Sequence, residues 1–529
     1  MNKDFNHIES AKEYSVLNPC GTRQVLEKIP LSPRLNTLEG KVVYFVEVSG
    51  RPLYMQELTS RLKNRVPGVR TVFRLKPHGP MTDDPETWDE VVDKADALVC
   101  GTCMGASSGA FGVGWVAGVE NCGIPSVYTV ADFYDAYVRF SAEMMDIPAL
   151  RTVKVNLVPE DEILTAVTDS QYDRIISDII DALTIPLNTE ELKAGKTEPP
   201  LQPRISMTGT LDEVQKFFHD KRYTDGLPII PPTEEKVLEM LKGTSHSPHE
   251  TVKAEFQKQI STNSFTVEKV AIVGAMAGCK PEYMPVLLAI SEALGKSSAG
   301  QASPSSFSLL TLVNGPIRNE IGMNAGMNSM GPGNQANASI GRFVRLALIN
   351  LVGLIPGLND MSGQGNPTRY SFCIPENEEE SPWEPFHVSI GYKTDESIIS
   401  IFTGGHTYSS VISLAPKKTL MEQLTASRTG PLYLMNPSMA RLYSEQGMSK
   451  TDVEDHIFEN ALMPMSEVKR EGLTWGRPFY DNKMPDEKLV PMYDRKNIKL
   501  LLVGGECGQP TAQVWQFLMP SVANIDNWR

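Results

Sequence analysis

From Lys41 onward the chain alternates short apolar runs with longer amphipathic ones. KVVYFVEV (41–48), TVFRL (71–75), ALVC (97–100), SVYTV (126–130) and VKVNLV (153–158) are apolar enough to be buried strands. Between them, Leu53, Leu58 and Leu62, the acidic-first segment 84–93, the glycine-bearing stretch after Cys103, and segments 131–145 and 172–183 carry helical signals. Strand–helix alternation of this length predicts a parallel sheet with helices on both faces. Residues 41–185 therefore read as a flavodoxin-like or Rossmann-like α/β domain. Residues 1–40 have little periodicity and read as an arm laid over a neighbour.

Residues 186–209 contain Pro199, Pro200 and Pro203 with few apolar positions, and read as a linker. Residues 210–529 then read as a larger α/β domain. Thr210-Leu-Asp-Glu213 forms a capping box, and Thr233 is placed to cap a helix opened by Glu234 and Glu235. VEKVAIVGAMAGCKPEYMPVLLAISEAL (267–294) reads as strand, glycine turn and helix, with Pro281 near the helix start. IVGAMAG (272–278) and LVGGECG (502–508) share V-G-x-x-x-G, which suggests two related halves or chance. Asn314, Asn319, Asn324, Asn328, Asn334 and Asn337 lie among glycines, a density that predicts a looped segment because both residue types tolerate positive φ. Ile340, Phe343, Val344, Ala347, Leu348 and Leu351 then predict a helix.

Composition narrows the function classes. A chain of 529 residues implies two or three domains. The formal net charge is −14 and no basic block occurs, so nucleic acid and anionic membranes are not expected partners. The longest apolar stretch, near 346–355, is too short to span a bilayer, and MNKDFNHIESAKEY lacks the apolar core of a signal peptide. Seven scattered cysteines, at 20, 100, 103, 122, 279, 373 and 507, point to a reduced, cytoplasmic protein.

The densest chemistry lies between Cys100 and Ser108. Cys100-Gly-Thr-Cys103 has C-x-x-C spacing, and a thiolate at a helix N-terminus is a good nucleophile. Cys103 is the candidate nucleophile and Cys100 its resolving or structural partner. Ser107 and Ser108 are candidate hydrogen-bond donors to substrate, and Gly105 a backbone contact. Cys100 as a plain buried strand residue fits equally well. Gly109, Gly112, Gly114 and Gly118 each cost about 1 kcal/mol in a helix, so something approaches it closely: sheet, partner helix or ligand. No Walker lysine is present.

These residues resemble the UGSC family of (seleno)proteins, named for a selenocysteine-or-cysteine, Gly, Ser, Cys motif after a strand. By residue type the motif falls on Cys100-Gly101-Thr102-Cys103. By spacing to Gly123-Ile124-Pro125 it falls on Gly105-Ala106-Ser107-Ser108, where no chalcogen remains. GLPIIPPTEEKV, VNGPIRNEIGMN and PWEPFH look like the larger partner domain that accompanies UGSC proteins. The resemblance implies domain organisation more than mechanism.

The second domain supplies groups that the first lacks. His387 and Glu376 are candidate acid–base residues, and with Glu378 and Glu384 could hold a divalent metal, although no motif requires a cofactor. Arg318 and Arg342 are candidate clamps for a carboxylate or phosphate. Asn314, Asn324, Asn328 and Asn337, with Gly504, Gly505 and Glu506, would line a polar pocket. The combined expectation is a homo-oligomeric enzyme: a thiol-dependent oxidoreductase, lyase or transferase. It would hold a small polar or anionic organic substrate between loop 101–109 and the asparagine-rich loop. A metal-dependent lyase or hydrolase, and a non-catalytic binding or assembly protein, remain as alternatives.

Overall fold

The computed structural model describes residues 12–50, 52–76, 84–103, 106–156, 166–199, 201–254, 261–297, 306–360, 362–411, 431–470, 480, 483–506, 510–516 and 520–529. The first domain follows an arm of three short strands, β1 (Tyr14–Leu17), β2 (Thr22–Arg23) and β3 (Leu26–Lys28). Its elements are β4 (Val42–Glu47), α1 (Pro52–Arg65), β5 (Arg70–Leu75), α2 (Pro85–Lys94), β6 (Ala97–Cys103), α3 (Ala106–Asn121), β7 (Ser126–Ala131), α4 (Asp135–Met144), β8 (Thr152–Val155) and α5 (Asp169–Thr184). The five strands β4–β8 form one parallel sheet in the order β5-β4-β6-β7-β8.

The two-residue period of a strand sorts the side chains by face. Val43, Phe45, Ala97, Val99, Val127 and Val153 pack with Leu58, Leu62, Ile175 and Ile179 of α1 and α5. Tyr44, Val46, Leu98, Cys100, Tyr128 and Val130 pack toward α2, α3 and α4 on the other face. This is the flavodoxin-like α/β layer expected from the pattern, in the strand order of that fold.

The arm and the linker are stitched together within the chain. β1 pairs antiparallel with β10 (Ile205–Gly209), β2 with β11 (Asn263–Ser264), and β3 with β9 (Gly195–Thr197). The arm is also fixed by a buried ion pair. Arg34 Nη1 donates to Glu120 Oε1 at 2.9 Å, with side-chain exposures of 1% and 0%. Ser32 N and Ser126 N donate to the same carboxylate, each at 2.7 Å.

In the second domain, Thr210 and Thr233 cap helices Leu211–Asp220 and Glu234–Leu241 as expected. Segment 267–278 departs from the expectation of a strand. Val267–Ala277 is a helix, capped by Thr266 and ended by Gly278 at φ 83°. Val270 to Ala277 are buried without a break, so the helix is apolar on every side and shows no amphipathic period. The V-G-x-x-x-G repeat is therefore not structural, because Gly274 lies in this helix while Gly504 follows a strand.

The larger sheet is mixed. Its order is β13 (Cys373–Pro375), β12 (Ser308–Asn314), β14 (Ile398–Val411), β17 (Pro510–Gln516), β15 (Leu432–Met435) and β16 (Lys499–Leu502), and β18 (Ser521–Asn524) also pairs with β14. β13 runs parallel to β12, so the carboxyl ends of these two strands are adjacent. Among the described residues no helix is long and apolar enough to cross a membrane.

Candidate functional site

The first-domain strand order reverses between β4 and β6, the crevice where open α/β sheets take ligands. A buried carboxylate organises it. Glu47 ends β4 and is fully buried, although its strand is otherwise apolar. Its Oε2 accepts from Thr102 N at 2.7 Å and Thr102 Oγ1 at 3.1 Å, and its Oε1 accepts from Ser49 Oγ at 2.8 Å. Lys76, just beyond β5, is 1% exposed. Neither Glu47 nor Lys76 was singled out from the sequence, yet a lone charge at the end of an apolar strand is a readable signal.

The cysteines sit inside this framework. Cys100 and Cys103 are fully buried. Burial pushes the Cys100 thiol up, and the nearby Glu47 charge pushes it further. That environment opposes a thiolate at Cys100. Ser108 is buried, and its carbonyl accepts from the Tyr128 hydroxyl at 2.6 Å. Gly105 lies outside the described residues. Ser107 lies in the first turn of α3.

The glycines of α3 make room for aromatic side chains. A Cβ at Gly109 would lie 2.8 Å from the Tyr137 ring, and one at Gly118 would lie 2.5 Å from Trp88. At Gly112 it would strike the Tyr128 hydroxyl. Close packing from sheet and helices thus accounts for three of the four. A thiol reagent applied to the native protein is expected to label the exposed Cys122 first and to leave Cys100 and Cys103 untouched until unfolding. Rapid native labelling of Cys103, read by peptide mapping, would restore it as a nucleophile.

In the second domain the expected substrate clamps are engaged internally. Arg318 is 3% exposed, with Nη2 at 2.9 Å from Glu378 Oε2 and 3.0 Å from Glu379 Oε1. Arg342 makes a two-point contact with Asp225 at 2.9 and 3.0 Å and donates to the Pro228 carbonyl at 2.8 Å. It pins the proline-rich segment after residue 225. The asparagine-rich loop is likewise spent on itself. Asn337 Nδ2 donates to the carbonyls of Asn324 and Ser329, Asn324 Nδ2 to Met327, and Asn328, at φ 62°, to Pro332. Gly504 and Gly505 pack on this loop, where a Cβ at Gly505 would lie 2.8 Å from Met327 N. Glu506 pairs with Arg441.

A second group of candidates converges. Asn314 ends β12, Glu376 follows β13, and His387 lies in the short helix Phe386–Ser389. Glu376 Oε2 accepts from Asn314 Nδ2 at 2.6 Å and from Phe386 N at 2.7 Å. Lys450 Nζ is 3.7 Å from Glu376 Oε1, and His387 Nδ1 is 3.9 Å from Glu378 Oε1. Asn314, Glu376 and His387 are all fully buried. Yet Asn314 Oδ1, Glu376 Oε1 and both ring nitrogens of His387 have no hydrogen-bond partner among the described residues. Lys450 was not anticipated, being a lysine at the start of a distant helix. Glu384, grouped with these residues in sequence, is exposed. Among the described residues no group of three or more His, Cys, Asp or Glu side chains is arranged to hold a metal.

The asparagine-rich loop is thus tied to 504–505 inside the second domain. The domains meet through α4 and the arm, where Arg23 pairs with Glu143 at 3.1 Å and Thr262 Oγ1 lies 3.7 Å from Met144 Sδ.

The crevice lies within a stretch that similarity identifies. Residues 15–185 match the UGSC family. The UGSC match takes in most of the arm as well as the five-stranded sheet, and ends with α5. No curated protein matches the chain.

Proposed function

We propose that the protein is an enzyme acting on a small polar or anionic organic molecule by proton transfer, with His387 and Glu376 as the acid–base groups of the second domain. One observation carries this reading: four polar atoms without a hydrogen bond among the described residues lie in one buried cluster beside the adjacent carboxyl ends of two parallel strands. Each unsatisfied buried group costs about 1–3 kcal/mol, so a cluster of them fits a site built for a guest. Asn314 and Lys450 flank the pair as a hydrogen-bonding group and a cation. A neutral imidazole has one donor and one acceptor nitrogen, so His387 can exchange a proton without a large rearrangement. The UGSC domain would complete the enzyme rather than supply its nucleophile, consistent with its buried thiols.

The test uses a small-molecule extract as the substrate pool. Wild-type protein is expected to deplete at least one polar or acidic metabolite, followed by mass spectrometry. His387→Gln is expected to do so about 10²–10⁴-fold more slowly. Equal depletion by both proteins would remove His387 from the chemistry, and no depletion by either would favour the non-catalytic alternative.

A further inference from the structure

A cavity separate from both candidate sites lies where the arm, α4 and the second domain meet. It is a half-open hollow of about 210 Å³. Cys20 and Arg23 from the arm, Lys221, Arg222 and Tyr223 from the turn after the helix Leu211–Asp220, and Asn350 from below line it. Among the described lining residues three are cationic and none is acidic. Arg23 shares its charge with Glu143 at 3.1 Å, and neither Lys221 nor Arg222 has a carboxylate partner among the described residues. Lys269 stands close enough to act on the Cys20 thiol, adding a further positive charge behind the wall.

The floor is unusual. Residues Leu348–Val352 form a π-helical turn, a rare conformation often found at functional sites. Asn350 lies in this turn and is 2% exposed. Its amide nitrogen donates to the carbonyls of Tyr223 and Leu346, each at 2.9 Å, while Oδ1 has no partner among the described residues and, being an acceptor, can take a hydroxyl of a bound acid but not its charged oxygens. The backbone carbonyl of Asn350 accepts from Gly21 N at 2.9 Å, so the arm is seated on the same turn. Burial pushes the Cys20 thiol and the Tyr223 hydroxyl up, and the two are hydrogen-bonded to each other.

We propose that this cavity binds a small organic oxyanion, a carboxylate or a phosphate, that bridges the arm to both domains. Cations gathered around a concave surface concentrate negative ligands, and arginine matches the planar geometry of an oxyanion. The volume is below the roughly 300–1,000 Å³ of sites for drug-sized molecules, which favours a small acid over a nucleotide. The proposal is independent of the His387 reading, because the two sites share no residue.

Cys20 makes the site self-reporting. The full chain is treated with iodoacetamide at constant ionic strength, with inorganic phosphate or succinate as probe, and labelling is followed by peptide mapping. One probe is expected to slow labelling of Cys20 about tenfold at ten times its Kd, while the exposed Cys122 labels at an unchanged rate. Phosphate alone or succinate alone as the protecting probe separates the two sources of the oxyanion. Protection should vanish in the double variant Lys221→Ala/Arg222→Gly, whose sites are both exposed, and Arg222 sits at φ 58°, which glycine accepts freely. If that variant loses its native circular dichroism, Arg23→Gln takes its place. The proposal is overturned if neither probe protects Cys20, if Cys20 and Cys122 are slowed alike, or if protection survives in the folded variant. Should Cys20 label too slowly to follow, calorimetric titration with the same probes decides: saturable heat supports the site, and no heat overturns it.

Discussion

Replacing His387 with leucine is expected to stabilise the protein and to abolish turnover at the same time. A merely structural histidine would behave oppositely, because its removal would break hydrogen bonds. His387 makes none with the described residues, although it is fully buried. Leucine is close to histidine in bulk and removes two unsatisfied nitrogens, a gain of about 1–3 kcal/mol. Groups kept at a stability cost are a mark of functional sites. The check is the denaturant midpoint of the second-domain transition, which should rise. A fall of similar size would mean that the imidazole is held by contacts that matter to the fold.

The largest loss of stability is expected from Glu120→Ala. Arg34 and Glu120 face each other at 2.9 Å with almost no solvent, and burial holds the Arg34 guanidinium below its ordinary value against the opposing pull of Glu120. Removing one partner of such a pair strands the other and costs about 3–5 kcal/mol. The amides of Ser32 and Ser126 would lose their acceptor as well. The double change Arg34→Met/Glu120→Leu should recover part of the loss, because no charge is left stranded while the amides of Ser32 and Ser126 still lack their acceptor. Chemical denaturation followed by circular dichroism measures both. A single variant as stable as wild type would show that the arm is held by its strand pairings instead.

The first domain was legible because its central strands β4, β6 and β7 are buried on both faces and read as largely apolar runs. The same property hid the helix Val267–Ala277, whose burial on all sides erased its period and left a strand-like run of Val, Ile and Ala. The asparagine-rich loop was recognised as a loop for the right reason, yet its asparagines serve its own turns, as Asn337 bridging to Asn324 and Ser329 shows. Sequence could not pair Arg318 with Glu378 and Glu379, because that contact joins segments about sixty residues apart. It did name Asn314, Glu376 and His387 as candidates, Asn314 from the density of asparagines and the other two as acid–base or metal-ligating types lying close together in sequence. The cavity under the arm was invisible, because its lining comes from six separate segments that share no motif.

The pairing of the arm also dictates when the protein can be finished. β2 has nothing to pair with until Asn263 and Ser264 have left the ribosome, some 240 residues after Arg23. At synthesis rates of about 5–20 residues per second, the arm waits roughly ten to fifty seconds beside a sheet that has already been made. During that interval its strand edges are open to other chains. The sheet of the first domain can therefore form early, but its seal onto the rest of the molecule comes late.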